Sequence, residues 1–156
     1  MTIAQVLKRC HLFAGLKEEQ LAEVIPLCTQ VTALDGEVLF KQGGPATSLY
    51  VVEAGHVALE MSVFLTHPVL VTKVGPGEAL GWSALMEPHV MTLSAKVMGP
   101  GPCSLVRIDG ADLRSLLGRR SDIASPVWRG MAELLAHRLT QTRQALVHER
   151  GWADAP

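Results

Sequence analysis

The sequence predicts a mainly β fold with flanking helices, built around a small antiparallel barrel or sandwich. The prediction depends on two changes of periodicity along the 156 residues. Between residues 29 and 109, short runs of β-type residues recur at even spacing and are separated by turns that contain glycine or proline. Before and after that region, apolar residues recur at the helical spacing of three or four. The predicted order is therefore helices, then a barrel, then helices.

The composition is that of a globular chain with little net charge. Hydrophobic residues make up 48% and charged residues 19%, which excludes a disordered chain. The formal net charge of −1 gives no indication of binding to nucleic acid or to an anionic membrane. No apolar segment approaches the roughly 18 residues that a membrane span requires. Three widely spaced cysteines, Cys10, Cys28 and Cys103, do not form a disulfide framework, so we expect a reduced, cytoplasmic setting.

The chain divides into four predicted segments, namely N-terminal helices over 1–27, a barrel over 28–109, C-terminal helices over 110–149 and a tail over 150–156. The helices of the first segment are predicted over 3–9 and 17–27. The predicted strands of the barrel occupy residues 30–34, 38–40, 49–53, 57–61, 69–74, 92–97 and 104–108. After the barrel, Asp109 or Asp112 can cap a short helix over 113–117, which Gly118 ends.

The last helix is predicted to begin at Ser125 and Pro126, because proline is favoured at the first helical position, and to run to about residue 149. One face carries a continuous stripe: Trp128, Met131, Leu135, Leu139, Thr142 and Leu146. Either this helix lies along its own domain, or the stripe is the coiled-coil interface of a homodimer. A stripe of about five turns is longer than a small barrel can cover, so we predict the homodimer.

The stretch 74–97 carries the first indication of a binding site. It opens with a turn at Gly75 and Gly77, and Gly81 then precedes a short predicted helix over 82–86 that Pro88 ends. A glycine before a helix exposes backbone N–H groups that have no acceptor inside the helix. Such a helix start binds anions, most often a phosphate group.

Several motifs in their joint order resemble the cyclic-nucleotide-binding domain of the catabolite activator/Fnr-type regulators. They occupy residues 12–16, 36–43, 49–57 and 75–78, followed by Gly81, and the resemblance covers residues 11–149. It implies a jelly roll whose stretch 75–97 is a phosphate-binding cassette. It also implies a regulatory, non-enzymatic function in signal transduction.

In that family the cassette reads Phe-Gly-Glu-x-Ala-Leu, and an arginine follows a few residues later. The glutamate binds the ribose 2′-hydroxyl and the arginine binds the cyclic phosphate. Four positions of this chain match the pattern: Leu80, Gly81, Ala84 and Leu85. Trp82 stands at the glutamate position, and the arginine position falls on Val90 or Met91. Since hydrogen bonds to charged groups contribute about 1.5–3 kcal/mol each, the two changes lower affinity by about two to four powers of ten.

The resemblance gives the candidate ligand residues Leu80, Gly81, Trp82, Ser83, Ala84, Leu85, His89, Val90, Met91 and Thr92. His89 is either a cation that replaces the arginine or an exposed turn residue. Trp82 either lines an apolar pocket for an aromatic or porphyrin ligand or simply fills the cavity. We expect weak or absent binding of cAMP and cGMP and no other cofactor; the alternative is a true receptor that uses backbone N–H groups, Ser83, Thr92 and His89.

The sequence gives little support to an enzyme or a metal protein. A cupin needs a His-x-His pair, but Val57 and Ala58 follow His56. His11 and His67 lack the spacing of haem or metal ligands, and an Fnr-type iron–sulfur cluster needs four cysteines where this chain has three. No Gly-x-Ser-x-Gly nucleophile motif occurs. The residues after the last helix are too few for a helix-turn-helix, so we do not expect direct DNA binding.

Overall fold

The computed structural model describes residues 1–63 and 67–149, and the predicted tail 150–156 lies outside this range. Its helices are α1 Ile3–Arg9, α2 Glu18–Val24, α3 Gly110–Arg119 and α4 Ser121–Glu149. Its strands are β1 Cys28–Ala33, β2 Val38–Phe40, β3 Ser48–Ala54, β4 His56–Met61, β5 Val69–Val74, β6 Ala79–Leu80, β7 Ser94–Met98 and β8 Cys103–Asp109. Two 3₁₀ turns, Ile25–Leu27 and Trp82–Leu85, complete the described elements.

The strands form two four-stranded antiparallel sheets. Their orders are β1-β8-β3-β6 and β2-β7-β4-β5, so that sequence neighbours alternate between the sheets in several places. This is the predicted mainly β fold with helices at both ends, and the fold class is confirmed. Strand β6 was not predicted, because two residues are too few to show the alternation of a strand.

Of three hydrophobic clusters in the described residues, the two larger ones lie on opposite faces of the first sheet. One contains residues of the helices together with Leu49, Val51, Val106 and Ile108. The other lies between the sheets and contains Val52, Leu80 and Leu105. Strands β3 and β8 therefore carry buried apolar residues on both faces. The helical core fixes α3 and α4 against the sheet that carries β6.

The start of α4 differs from the prediction. The helix begins at Ser121, and Pro126 lies inside it rather than at its first position. Proline cannot donate to the carbonyl of residue 122, but the side chain of Gln20 does so, with its Nε2 3.1 Å from the Asp122 oxygen. The end of α3 also differs from the prediction, because the helix continues through Gly118 to Arg119. Its start is as predicted: the side chain of Asp109 caps the helix and accepts from the Asp112 N–H at 2.9 Å.

The predicted stripe of α4 is only partly exposed. Met131 is 2% exposed and belongs to the core of its own domain, which corrects its assignment to the interface. Leu135 is half-buried against the same core. Trp128, Leu139 and Leu146 are 41%, 51% and 46% exposed, and the hydroxyl of Thr142 donates to the Arg138 carbonyl at 2.9 Å. In the described residues, no helix combines the length and hydropathy needed to cross a lipid bilayer.

Candidate functional site

The cassette region begins with a tight turn between β5 and β6. Gly75 donates its N–H to Oε1 of Glu78 and accepts from the Glu78 N–H, both at 3.1 Å. Gly77 has φ of +85° and donates to the Val52 carbonyl at 2.9 Å. The turn leads into β6, which pairs with β3 through the register Tyr50↔Leu80. The short strand thereby holds Leu80 at the edge of the first sheet.

Gly81 joins β6 to the turn that follows, and only glycine fits this position. Its φ is +84°, in the left-handed region. A Cβ at this position would lie 2.8 Å from the backbone oxygen of Ser48. The backbone of the cassette therefore approaches β3 more closely than any side chain would allow.

The predicted helix of the cassette is a single 3₁₀ turn over Trp82–Leu85. Its Ala84 N–H donates to the Gly81 oxygen at 3.0 Å, so this N–H is not free for an anion. Ser83, Ala84 and Leu85 are all buried, and Nη1 of Arg114 donates to the Ala84 carbonyl. The predicted short helix is thus present as a single 3₁₀ turn, whose start offers fewer free N–H groups than that of an α-helix.

His89 is not the exposed turn residue that the sequence allowed. It is half-buried at φ of +56°, and its Nε2 is buried without a hydrogen-bond partner among the described residues. Its carbonyl accepts from the Ala46 N–H at 2.9 Å. The ring does not line the pocket of the cassette described next, so it does not replace the missing arginine there.

A small pocket lies between the 3₁₀ turn, the second sheet and α4. Six predicted ligand residues line it: Leu80, Gly81, Trp82, Ser83, Met91 and Thr92. The predicted residues Ala84, Leu85, His89 and Val90 do not line it. Phe40, Leu59 and Leu93 complete its apolar wall. Its volume is about 20 Å³, enough for about one water molecule.

Arg138 of α4 reaches the same pocket, and sequence reasoning did not assign it to the site. Its side chain is only 9% exposed, and its Nη2 donates to the Ala79 carbonyl at 2.5 Å. Burial lowers the pKa of the guanidinium, and the negative charge of Glu78 partly offsets this effect. An arginine has so high an ordinary pKa that the group stays protonated. The only sequence signal was its position at the edge of the apolar stripe.

A larger cavity, of about 330 Å³, lies on the other side of β6. Leu12, Ala79, Leu134 and His137 are among its lining residues. None of the predicted ligand residues lines it. His11 also borders this cavity and pairs with Glu133 through its Nε2.

The described residues contain no group of three or more His, Cys, Asp or Glu side chains that could hold a metal ion. The three cysteines are free thiols. Burial raises the pKa of Cys10 to about 11 and that of Cys28 to about 12, so both are neutral at physiological pH. Burial also raises the pKa of Cys103. Neutral, buried thiols are poor nucleophiles and poor metal ligands.

Two antiparallel sheets, a glycine-flanked turn at one edge and a long C-terminal helix that reaches the pocket form the architecture around the cassette. The sequence model of the cyclic nucleotide-binding domain matches residues 30–120. The chain belongs to this family, and the resemblance noted from the sequence is confirmed.

Individual relatives agree with this assignment. The chain is 26% identical to the CRP-like cAMP-activated global transcriptional regulator of Mycobacterium tuberculosis over 91% of this chain and 61% of the relative. It is 32% identical to glutaminase 2 of Bradyrhizobium diazoefficiens over 82% of this chain but 19% of the relative. The crystal structure of the N-terminal domain of a transcriptional regulator from Streptomyces coelicolor superimposes with a TM-score of 0.70 and 32% identity, covering 85% and 93% of the two chains. The chain thus spans about a fifth to three fifths of the length of these curated relatives.

Proposed function

We propose that the chain is a non-enzymatic regulatory or sensor domain that has the cyclic nucleotide-binding fold but binds cAMP and cGMP weakly or not at all. The observation that carries the proposal is the size of the cassette pocket. Pockets for ligands larger than fragments have volumes of about 300–1,000 Å³, whereas this one has about 20 Å³. Trp82 stands at the family's glutamate position, Met91 is one of the two candidates for its arginine position, and both line the pocket.

The chemistry of the lining residues supports the same conclusion. The indole of Trp82 can only donate a hydrogen bond through its N–H, and the thioether of Met91 carries no charge. A cyclic nucleotide would lose the carboxylate on its ribose and the cassette guanidinium on its phosphate, although Arg138 brings a guanidinium to the same pocket from α4. The loss of the ribose contact alone amounts to about 1.5–3 kcal/mol. Affinity would therefore fall well below that of a receptor with both groups.

A catalytic function has less support. The glutaminase relative matches this chain over only 19% of its own length, so its name gives no reason to expect glutaminase activity here. The described residues offer no metal cluster, and the buried thiols are neutral. We infer that the chain acts through ligand binding or through contact with another protein segment.

We also infer that the chain forms a homodimer through α4. Trp128, Leu139 and Leu146 present large apolar side chains on the outer face of the helix, each about half exposed. Burying a leucine contributes about 1.5–3 kcal/mol. Pairing two copies of α4 would remove these side chains from water, and the polar Thr142 in the same stripe favours a short interface.

The experiment that tests the proposed function is a calorimetric titration of the full chain with cAMP and cGMP at neutral pH. We expect no saturable heat at micromolar nucleotide. A micromolar Kd for either nucleotide would contradict the proposal and favour the alternative, a receptor that relies on backbone N–H groups with Ser83 and Thr92.

A gain-of-function variant serves as the positive control. Of the two positions proposed for the arginine, Met91 lines the pocket, whereas Val90 does not. The double variant Trp82→Glu with Met91→Arg therefore places the family's glutamate and arginine at residues that line the pocket. We expect this variant to bind cAMP with measurable affinity. The same double change with arginine at Val90 is the matched comparison. A folded Met91 variant without affinity would mean that the backbone of the cassette, and not only its side chains, has diverged.

A further inference from the structure

The guanidinium of Arg138 is buried in the pocket with most of its hydrogen-bonding capacity unused. An arginine side chain carries five N–H donors. Nη2 has an acceptor, the Ala79 carbonyl. Nε and Nη1 are buried and have no hydrogen-bond partner among the described residues. Buried donors of this kind are nearly always satisfied in folded proteins, so an acceptor is missing from the pocket.

The charge of this side chain is also unpaired. Arg138 forms no ion pair with any of the residues that the structure describes. Glu78 attracts it from a distance, but Oε1 of Glu78 accepts from the Gly75 N–H in the turn before β6. A buried cation without a counter-charge is unfavourable. The missing acceptor is therefore expected to be negatively charged.

The rest of the pocket limits what this anion can be. Ser83 and Thr92 supply hydroxyl groups, while Phe40, Leu59 and Leu93 are apolar. Among the described residues that line the pocket, Arg138 is the one cation, so a single negative charge is matched and a second one is not. The volume of about 20 Å³ admits one small group beside the guanidinium. Thr92 is exposed, so the pocket reaches the surface and the remainder of a ligand can lie outside it.

We propose that this pocket binds a small monocarboxylate, whose oxygens accept hydrogen bonds from Arg138. A carboxylate and a guanidinium match in charge and in planar geometry. A substituent on the carboxylate would lie outside the pocket, whose volume of about 20 Å³ admits only the charged group. This inference deepens the proposed function, because it names the ligand class of the same pocket after cyclic nucleotides have been set aside. The anion would bind beside the hydrogen bond that joins Arg138 of α4 to Ala79 of β6.

The test is a nuclear magnetic resonance titration of the full chain, observing the Nε–Hε group of Arg138. Sodium acetate and sodium butyrate replace sodium chloride at constant ionic strength and pH 7, and inorganic phosphate and cAMP are parallel arms. We expect saturable shifts of this resonance with both carboxylates. No saturable shift with acetate or butyrate, or shifts equal to those with phosphate and chloride, would overturn the inference. Saturation by micromolar cAMP would contradict the proposed function instead.

Thermal unfolding gives a second readout. Because a ligand that binds the folded state raises stability by mass action, carboxylate at ten times its Kd should increase the folding equilibrium constant of the wild type about 11-fold. Arg138→Met keeps the length of the side chain and should lose this response. Arg143→Met removes an exposed arginine of the same helix and should keep it. An equal response in Arg138→Met would place the bound anion elsewhere, and the resonance titration remains decisive if that variant does not fold.

Discussion

Gln20 donates its side-chain Nε2 to the backbone carbonyl of Asp122, and the two atoms lie 3.1 Å apart. In an uninterrupted helix this carbonyl would accept from the N–H of residue 126. Pro126 has no N–H, and it nevertheless lies inside α4. The same Nε2 also contacts Oδ2 of Asp122 at 3.1 Å. A buried side chain of α2 thus supplies the donor that the sequence of α4 lacks, and it connects α2 to α4.

The first prediction concerns this contact. Gln20→Leu keeps the volume and removes the donor, so we expect a loss of about 1–3 kcal/mol in the free energy of unfolding. In the background Pro126→Ala, the new N–H can satisfy the Asp122 carbonyl, and the cost of Gln20→Leu should fall by about 1 kcal/mol. Urea denaturation of the four proteins in the double-mutant cycle measures this difference. The contact of Gln20 with the Lys17 N–H is lost in both backgrounds and cancels. Equal costs in the two backgrounds would show that the carbonyl does not depend on Gln20.

The second prediction concerns Gly81. It separates the free-energy cost of its left-handed conformation from the cost of its close approach to β3. Gly36 and Gly81 have nearly the same φ, +87° and +84°. A Cβ on Gly36 would have no heavy atom within 4 Å among the described residues, whereas one on Gly81 would meet the Ser48 oxygen at 2.8 Å. Gly36→Ala should therefore cost only the left-handed strain, about 1–2 kcal/mol. Gly81→Ala should cost about 1–3 kcal/mol more, because β3 must move. Chemical denaturation measures the free energy of unfolding of both variants. Similar losses in the two variants would mean that β3 moves without a further cost.

The third prediction concerns the oligomeric state. Leu139 is the most exposed leucine of the α4 stripe, at 51%. If α4 forms the interface, Leu139→Glu should convert the dimer to a monomer without loss of barrel stability. Gln144→Glu adds the same charge to another exposed position of the helix and should leave the dimer intact. Sedimentation velocity at tens of micromolar distinguishes the outcomes. A wild-type monomer would refute the dimer, and a dimer in Leu139→Glu would place the interface on another surface.

The fourth prediction concerns alkaline pH. Burial, opposed by the Leu12 and Phe13 N–H groups, raises the pKa of Cys10 from 9.0 to about 11 on folding. The folded state therefore favours the neutral thiol. The contribution of the neutral Cys10 thiol to the free energy of unfolding is complete below pH 9. It disappears as the pH rises toward 11. Between pH 7 and pH 10.5, the wild type should lose about 2 kcal/mol relative to Cys10→Ala, a variant that cannot ionise there. Parallel pH profiles for the two proteins in denaturant titrations would contradict this assignment.

Much of the fold could be predicted because it depends on local patterns. The bounds of α1 and of strands β2 and β5 follow from periodicity and turn residues, and they are as predicted. The identity of the cassette followed from spaced glycines. Gly81 shows why: its conformation and its close approach to β3 exclude every other residue.

The features that sequence reasoning missed depend on contacts between distant residues. Pro126 resembles a helix start until Gln20 donates to the carbonyl of Asp122, which is 102 positions from Gln20 in the sequence. Arg138 resembles a surface residue at the edge of a stripe until the Ala79 carbonyl, 59 positions away, accepts from it. The short strand β6 exists only because β3 lies beside it. No local pattern contains this information, since each case requires the folded arrangement.

The uneven burial of α4 gives the helix two parts that should open on different timescales. Its first part is fixed to the domain by Ile123, Val127 and Met131, which are at most 2% exposed. Beyond Arg138, none of the described side chains is fully buried. Amide hydrogen exchange should therefore be slow up to about Arg138 and much faster toward Glu149, because the outer turns can fray without opening the core. A second copy or another partner on the outer part would slow exchange there, so the protection of those amides reports directly on whatever the helix binds.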